Sequence, residues 1–359
     1  MRRCTSHVYE YGVKQEAGGY GNAAVQLYSF FEKKFTKLSV NKVFARTPRD
    51  SLMAAETVSE KRCPGCHDVM RPAGWTLTEP EAGRAPIAVL RCPVCGLVTT
   101  PWLFAGQEEV ASLYTQYSYC SETAWDIPAA TLHSLRRWVR QMEPFRRLNR
   151  WLDVGCAAGA LLRAAVEHGW HAEATELSTV AAERLRSEGF VVHVGFLTNL
   201  GLPIESFDVV TMIELIEHLA DPMEDLRSIY SLLRPGGALF LTTPNARSLR
   251  CRLFGFRETL GPPGHLWGFT PKALRKLLRR VGLRPVRIWT DGLNPYLLLR
   301  RIRSASGAGA PNVWAQTQRL REHTITNPLV RALKFSVNVG MRLTRWGDTL
   351  KAVAVKPEP

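Results

Sequence analysis

A glycine-containing turn followed by an acidic residue is the feature of this sequence with the clearest chemical meaning. The stretch 152–159 reads LDVGCAAG, leads from an apolar strand into a helix, and is followed by a second short strand that ends at Glu176. Glycine lets the backbone approach a ligand closely, and a carboxylate at the tip of the next strand can bind two ribose hydroxyls. The G-x-x-x-G spacing differs from the dinucleotide fingerprint, so the turn alone indicates nucleotide binding only weakly.

Two CxxC pairs indicate a metal site. Cys63 and Cys66 form the first pair, Cys92 and Cys95 form the second, and 25 residues separate the pairs. Four thiolates suit tetrahedral zinc, and the prolines and glycines of both pairs suit the tight bends that bring them together. We therefore expect a structural zinc ribbon with no open coordination position, and a redox pair is the alternative.

A second group of possible ligands follows a predicted strand over 207–212. Glu214, Glu217 and His218 lie within about one turn, and two carboxylates with an imidazole can bind a divalent cation. Alternatively, the same residues only shape the floor of a pocket, and this interpretation is the favoured one.

Strands and helices alternate through the middle of the chain, which predicts an α/β fold with a doubly wound parallel sheet. The predicted strands cover 150–154, 171–175, 190–194, 207–212 and 237–242, followed by LRPVRIW and LKAVAVKP. The predicted helices cover 158–168, 178–188, 221–233 and 271–281, the last opening with Thr270 as a cap and a proline in the first turn.

Three segments together resemble the class I S-adenosylmethionine-dependent methyltransferases. They are LDVGCAAG, SFDVVTMIELIEHLADP and LLRPGGALFLTTPN, and they occur in that family's order and spacing over roughly 145–290. The resemblance implies a seven-stranded Rossmann-like sheet whose last two strands add an antiparallel edge. The cysteine pairs and the connector after them are also similar to bacterial sugar- and polysaccharide-pathway methyltransferases, in which a zinc module helps to cover the substrate.

The resemblance also implies where S-adenosylmethionine is held. Glu176 is expected on the ribose, and an acidic residue beside the adenine is replaced here by apolar side chains. The full set of expected cofactor-binding residues is Asp153, Gly155, Ala157 and Gly159 around the methionine part, Glu176, Phe196 and Leu197 at the adenine, and Glu214 at the cleft.

His265 is the candidate catalytic residue. It lies in a loop, Gly261–Thr270, that is rich in proline and glycine, and quinone-type O-methyltransferases have a matching histidine in a similar loop. A neutral imidazole there can accept the proton of an attacking hydroxyl. Alternatively, His265 only orders the loop. Trp267 and Phe269 are expected to form apolar walls of the site.

The chain of 359 residues is long enough for a large domain and a smaller one. We expect an extension over 1–60, partly disordered, a zinc ribbon over 61–105, a helical connector over 106–145 and a methyltransferase domain over 146–359. A basic amphipathic insertion is expected at about 292–347. The N-terminus lacks an apolar signal core, so the expected location is the cytoplasm.

Positive charge is concentrated in the last third of the chain. The net charge is +15, and residues 246–359 contain 22 Lys and Arg against 5 Asp and Glu. Such asymmetry indicates an anionic partner, namely the inner membrane surface, a phosphorylated substrate or nucleic acid, or else an arginine-rich face that is simply solvated. In the segment 329–346, Arg331, Lys334, Arg342 and Arg345 oppose Leu329, Leu333 and Val337 at helical spacing. This helix either lies on a membrane or, as the favoured interpretation, packs its apolar side on the domain.

The sequence thus predicts an enzyme that transfers a methyl group to an oxygen or activated carbon of a small-molecule, sugar or lipid-linked acceptor. One alternative is an RNA base methyltransferase that grips its substrate with the ribbon and the basic tail. The fourth strand ends in MIEL rather than in the N/D-P-P-Y/F that handles exocyclic amines, which argues against it. The second alternative is a non-catalytic binding module.

Overall fold

The computed structural model describes residues 43–46, 61–78, 87–100, 125, 127–260, 264–294 and 326–359. The strands are β1 Val43–Arg46, β2 Arg71–Thr78, β3 Ile87–Arg91, β4 Val98–Thr99, β5 Arg150–Val154, β6 His171–Glu176, β7 Val191–Val194, β8 Phe207–Ile213, β9 Leu233–Pro244, β10 Trp267–Gly268, β11 Arg284–Asp291 and β12 Thr349–Val355. The α-helices are α1 Ala129–Met142, α2 Ala160–Glu167, α3 Thr179–Ser187, α4 Pro222–Leu232, α5 Leu249–Phe254, α6 Arg257–Leu260, α7 Pro271–Arg280 and α8 Pro328–Thr344.

A seven-stranded sheet forms the centre of the molecule, in the order β11-β12-β9-β8-β5-β6-β7. The five strands from β9 to β7 run parallel, and β12 is antiparallel to both of its neighbours. The α/β prediction with seven strands is therefore confirmed. β9 begins four residues earlier than predicted, because Arg234–Gly237 already continues the strand.

The sheet is covered on both faces, as the alternation of side chains along its strands requires. Trp151, Val209 and Phe240 face one way and pack with α1 and α2. Their neighbours Leu152, Val210 and Leu239 face the other way and pack with α4 and α7. Because the central strands are buried on both faces, their carboxyl ends are the part of the sheet left open for a ligand.

The cysteine-containing segment does not form a separate sheet. Its strands pair in the order β1-β2-β3-β4, and β4 then pairs with β10, which lies some 170 residues further along the chain. β1 falls within the stretch 1–60 that was expected to be a partly disordered extension. The expectations for 1–42, 47–60, 101–124 and 295–325 lie outside the described residues. The sequence-distant strand β10 joins the cysteine segment to the main domain.

Helix α8 departs from the favoured prediction. We expected its apolar side to pack on the domain, but Leu329 is 79 % exposed and Leu333 is 67 % exposed. The helix is attached to β11 mainly through polar contacts, including Gly292 N–H to Asn338 Oδ1 at 2.9 Å. Its apolar face is therefore largely open to solvent. Among the described helices, none has the length and apolar character needed to cross a membrane.

Candidate functional site

The turn after β5 has the backbone geometry that its glycines predict. Gly155, Ala157 and Gly159 have positive φ angles of 69°, 52° and 73°. A Cβ at Gly155 would lie 2.9 Å from Leu215 Cδ2, and one at Gly159 would lie 2.6 Å from Leu185 Cδ2. The turn thus needs glycine for both conformation and space. It leaves the end of β5 and leads directly into α2, whose N-cap is Gly159.

Glu176 ties this turn to the end of β6. Its side chain is 7 % exposed and accepts backbone N–H bonds from Ala157 at 2.8 Å and from Leu177 and Ser178 at 2.9 Å. Burial raises the pKa of this carboxyl, and the three N–H donors act in the opposite direction. A carboxylate has about four acceptor positions, so one remains for a hydroxyl of a bound nucleoside.

The predicted adenine residues lie next to Glu176. β6 and β7 pair with Glu176 opposite Val194, and Gly195 N–H donates to Glu176 O at 3.1 Å. Phe196 is partly buried and Leu197 is buried at the start of the following short helix. The structure therefore brings the glycine turn, Glu176 and this apolar pair to one edge of the sheet.

Asp153 occupies a different position from the other predicted cofactor residues. It is 3 % exposed within β5 and accepts a hydrogen bond from Thr211 Oγ1 at 2.8 Å. Burial raises the pKa of Asp153 to about 7. Its carboxyl is thus bonded to the neighbouring strand β8, one residue position before the end of β5.

Glu214 follows β8 on the other side of the turn. Its φ is 50°, and its Oε1 accepts a hydrogen bond from Thr242 Oγ1 at 2.7 Å, while burial raises the pKa of the carboxyl. This contact directs the carboxylate towards β9. Glu214 consequently does not join the other two residues of the predicted cation group.

The group that the structure does bring together consists of Glu217, His218 and His265, whose ligand atoms lie within 4.8 Å of one another. Glu217 is 1 % exposed, with Oε2 accepting from Thr243 Oγ1 at 2.9 Å and Oε1 3.9 Å from His218 Nε2. Among the described residues, Oε1 has no hydrogen-bond partner. Burial, followed by the nearby Glu214 carboxylate, raises the pKa of Glu217 well above its usual value.

This group differs from the predicted set of Glu214, Glu217 and His218 by one member, since His265 takes the place of Glu214. A buried carboxylate oxygen without a donor is costly, and either a proton or a cation would relieve that cost. The donor set of one carboxylate and two imidazoles fits a divalent transition metal. It equally fits a proton-transfer group built around His265.

The orientation of His265 is fixed by a backbone carbonyl. The side chain is 9 % exposed, and its Nδ1 lies 2.6 Å from Thr259 O. Because a carbonyl only accepts, Nδ1 carries the hydrogen, and Nε2 is the nitrogen that takes up a proton. The rings of His265 and His218 meet edge to face with centroids 4.5 Å apart.

The loop that carries His265 is attached to the segment after β8. Leu266 N–H donates to Glu217 O at 2.8 Å, and the indole of Trp267 donates to Leu219 O at 2.8 Å. Trp267 and Phe269 are 5 % and 0 % exposed and pack in the core. The expectation that they wall an open site is therefore wrong, because their rings hold the loop in place from within.

The four predicted cysteines form one cluster, with their sulfur atoms within 4.8 Å of one another. Each CxxC bends in the same way, since Cys66 is followed by His67 with φ of 61° and Cys95 by Gly96 with φ of 76°. A hydrogen bond with Cys95 lowers the pKa of Cys63 to about 5. A buried thiolate held among three further sulfurs is the donor set that zinc prefers, so the residues fit the predicted ion.

The cysteine cluster is docked on the His265 loop. β4 pairs with β10 through Thr99 opposite Trp267, and Thr99 Oγ1 donates to Leu266 O at 2.9 Å. Thr270 Oγ1 donates to Cys95 O at 2.6 Å. No sequence pattern indicates this contact, because a two-residue strand is too short to show periodicity.

Residues 129–288 match a family model described as a methyltransferase domain. The ubiquinone biosynthesis O-methyltransferase of Dinoroseobacter shibae is 33 % identical over 167 residues, which cover 42 % of this chain and 65 % of that protein. The enzyme of the same name from Bordetella avium is 26 % identical over 208 residues, covering 54 % and 85 %. The chain thus spans less than two thirds of the length of the Dinoroseobacter relative.

Among solved structures, a SAM-dependent methyltransferase from Archaeoglobus fulgidus is similar to this chain with a TM-score of 0.44 and 21 % identity. That match covers 63 % of this chain and 94 % of the other.

Proposed function

We propose that this chain, whose residues 129–288 form a class I methyltransferase domain, transfers a methyl group from S-adenosylmethionine to an oxygen of a small-molecule acceptor. The match of residues 129–288 to a methyltransferase domain and the O-methyltransferase relatives support this family. The observation that carries the proposal is the joining of the glycine turn to Glu176 at the open edge of the sheet, next to the His265 group.

The cofactor is proposed to lie across the ends of β5, β6 and β7. Gly155 and Gly159 shape the turn through their positive φ angles, Glu176 would offer its remaining acceptor position to the ribose, and Phe196 would pack on the adenine. Asp153, held by Thr211 at the end of β5, is proposed to lie beside the methionine part. S-adenosylmethionine supplies the electrophilic methyl group.

His265 is proposed to accept the proton of the acceptor hydroxyl at Nε2, while the oxygen forms its bond to the methyl carbon and the carbon–sulfur bond breaks. The Thr259 carbonyl holds the required tautomer. Glu217 lies in the same group as His265 and, when ionised, would offset the positive charge of the imidazolium that results. Alternatively, Glu217, His218 and His265 would together hold a divalent cation, which would supply Lewis-acid activation of the acceptor hydroxyl.

The cysteine cluster is proposed to hold one structural zinc ion. All four positions of a tetrahedral ion would be filled by Cys63, Cys66, Cys92 and Cys95, so the ion has no place for substrate. Its role would be to stiffen the strand pair that supports the His265 loop.

The chain is also proposed to contact the inner surface of a membrane through α8. Leu329, Leu333 and Leu343 are exposed at 79 %, 67 % and 81 %, and Arg331 and Lys334 lie on the same helix. Exposed leucines beside basic residues are typical of helices that bind an anionic lipid surface.

The alternative of an RNA base methyltransferase is less well supported, since the relatives named above are O-methyltransferases of ubiquinone biosynthesis. The alternative of a non-catalytic module does not explain why a histidine of fixed tautomer lies beside a buried carboxyl.

The experiment that tests the proposal is calorimetric titration with S-adenosylmethionine. Glu176→Gln removes one of the two carboxylate oxygens and is expected to weaken binding by about tenfold or more. Glu183→Gln, an exposed carboxylate on α3, is the matched control and is expected to bind as the unchanged protein does. Absence of binding by the unchanged protein, or equal affinity of all three proteins, contradicts the proposal.

A further inference from the structure

A cavity of about 630 Å³ lies between the second cysteine pair and the main domain. Its walls come from the turn after β3, the start of α5, the start of α7 and the end of α8. Residues that line it include Cys95 and Gly96 on one side and Ala246 and Thr270 on the other. The volume is in the range of small-molecule sites.

The walls of this cavity are strongly basic. Six of the described lining residues are cationic and none of the described lining residues is acidic; the cations are Arg91, Arg247, Arg252, Lys272, Arg275 and Arg345. Among the described residues, no salt bridge joins any of these six to an acid. Elsewhere arginines do find acids, as in the pairs Arg250–Glu258 and Arg234–Asp208.

Six positively charged side chains from separate chain segments repel one another in this cavity. Their repulsion destabilises the folded protein. An anion in the cavity would offset this repulsion. The guanidinium of Arg252 is already oriented, since it stacks on the Trp346 ring at 4.8 Å from the ring centroid. Guanidinium groups match phosphate oxygens with two parallel hydrogen bonds.

The cavity and the proposed catalytic group share one structural unit. Thr270 lines the cavity, and His265 lies five residues earlier in the same loop. A second connection runs through Cys251, which lines the cavity and has its Sγ 3.5 Å from Thr259 Oγ1, while Thr259 O holds His265. An acceptor anchored in the cavity would therefore lie close to the methyl-transfer site.

We infer that this basic cavity binds the phosphate or diphosphate group of the acceptor substrate. The inference rests on the proposed function, which supplies the methyl transfer, and adds the chemical class of the acceptor. Two sources carry that chemistry, a soluble nucleoside diphosphate ester and a lipid diphosphate. The cavity recognises the group that they share, and the remaining volume accommodates the adjoining part of the molecule.

The test is calorimetric titration of the full chain with inorganic pyrophosphate, against a chloride control of equal ionic strength. The double variant Lys272→Gln, Arg275→Gln removes two cations from the cavity and is expected to weaken pyrophosphate binding by about tenfold or more. Arg279→Gln, an exposed arginine of the same helix outside the cavity, is expected to leave binding unchanged. Each variant is first shown to have the melting temperature of the unchanged protein.

Parallel titration with S-adenosylmethionine separates this inference from the proposed function. Cofactor binding without pyrophosphate binding overturns the inference alone, and absence of cofactor binding overturns the proposed function alone. Equal weakening by the double variant and by Arg279→Gln also overturns the inference, because it indicates non-specific attraction.

Competition distinguishes the sources. Displacement of pyrophosphate by a nucleoside diphosphate supports the soluble source, and displacement by a polyprenyl diphosphate in detergent micelles supports the lipid source. Displacement by single-stranded RNA but by neither diphosphate overturns the inference in favour of a nucleic-acid surface.

Discussion

His265 is the residue on which the proposed proton transfer depends. Replacing it with glutamine keeps a polar side chain of similar size but removes the nitrogen that accepts a proton. We expect His265→Gln to lower kcat by roughly 10²- to 10⁴-fold, the usual contribution of a general base, with the dissociation constant for S-adenosylmethionine unchanged. Steady-state kinetics with the identified acceptor, together with calorimetry of cofactor binding, measure both quantities.

The matched control for this prediction is His133→Gln, an exposed histidine on α1. Full activity of His265→Gln would rule out a base. If the three-residue group holds a cation, the unchanged enzyme should lose activity in metal-free buffer and regain it with added Mn²⁺, and His265→Gln should no longer respond.

At this scale the sequence predicted which residues have chemical roles better than it predicted their contacts. The glycine turn and Glu176 could be found because a short local pattern fixes both. The replacement of Glu214 by His265 in the three-residue group could not be found. It follows from the positive φ of Glu214, which turns that carboxylate towards Thr242, and no local pattern indicates such an angle.

At the scale of elements, the strand pair β4–β10 connects the cysteine cluster to the catalytic loop. Replacing Cys63 and Cys92 with serine leaves two of four thiolates, which is too few for a structural zinc site. We expect the unchanged protein to contain about one zinc ion per chain and the double variant to contain almost none. Metal analysis by mass spectrometry after extensive dialysis measures this content.

Loss of the zinc ion should affect methyl transfer but not cofactor binding. Loss of zinc loosens the strand that supports the His265 loop, so methyl transfer should slow while S-adenosylmethionine still binds at the glycine turn and Glu176. Cys156→Ala is the control, because this buried thiol lies outside the cluster and its loss should leave the zinc content unchanged. A native protein without zinc contradicts the prediction.

The helices and strands that could be predicted are those marked by a short sequence pattern, such as a helix cap or an apolar strand. α7 begins where Thr270 and Pro271 predict, and the Thr270 hydroxyl accepts the N–H of Ala273. The strands of the central sheet were found because long apolar runs mark strands that are buried on both faces. β10 was missed because its two residues form a strand only through pairing with β4, far away in the sequence.

At the scale of the whole molecule, the uneven charge distribution could be read from the sequence. Which surfaces the basic residues form could not be predicted from it. Part of the excess lines the basic cavity, where Arg91 of the cysteine segment joins residues of the last third. Another part lies along α8 beside exposed leucines. Composition alone predicts an anionic partner. The positions of the basic side chains in the fold are needed to distinguish a binding site for a small anion from a surface that binds lipid.

The proposed membrane contact gives a prediction that depends on this placement. We expect the full chain to float with vesicles that contain about 30 % anionic lipid and to be released by high salt, because each basic residue near such a surface contributes roughly 1 kcal/mol that salt screens. Vesicles of neutral lipid should bind it less.

Leu329→Ser, Leu333→Ser and Leu343→Ser combined should weaken flotation by at least about tenfold, since each removes apolar area that the membrane would bury. Ile204→Ser, which replaces a 72 % exposed isoleucine between β7 and β8, is the control and should float as the unchanged protein does. Equal flotation of the triple variant and the control would show that α8 does not bind lipid. Because these leucines lie outside the cofactor cleft and the basic cavity, that outcome would leave both the methyl transfer and the anion site intact.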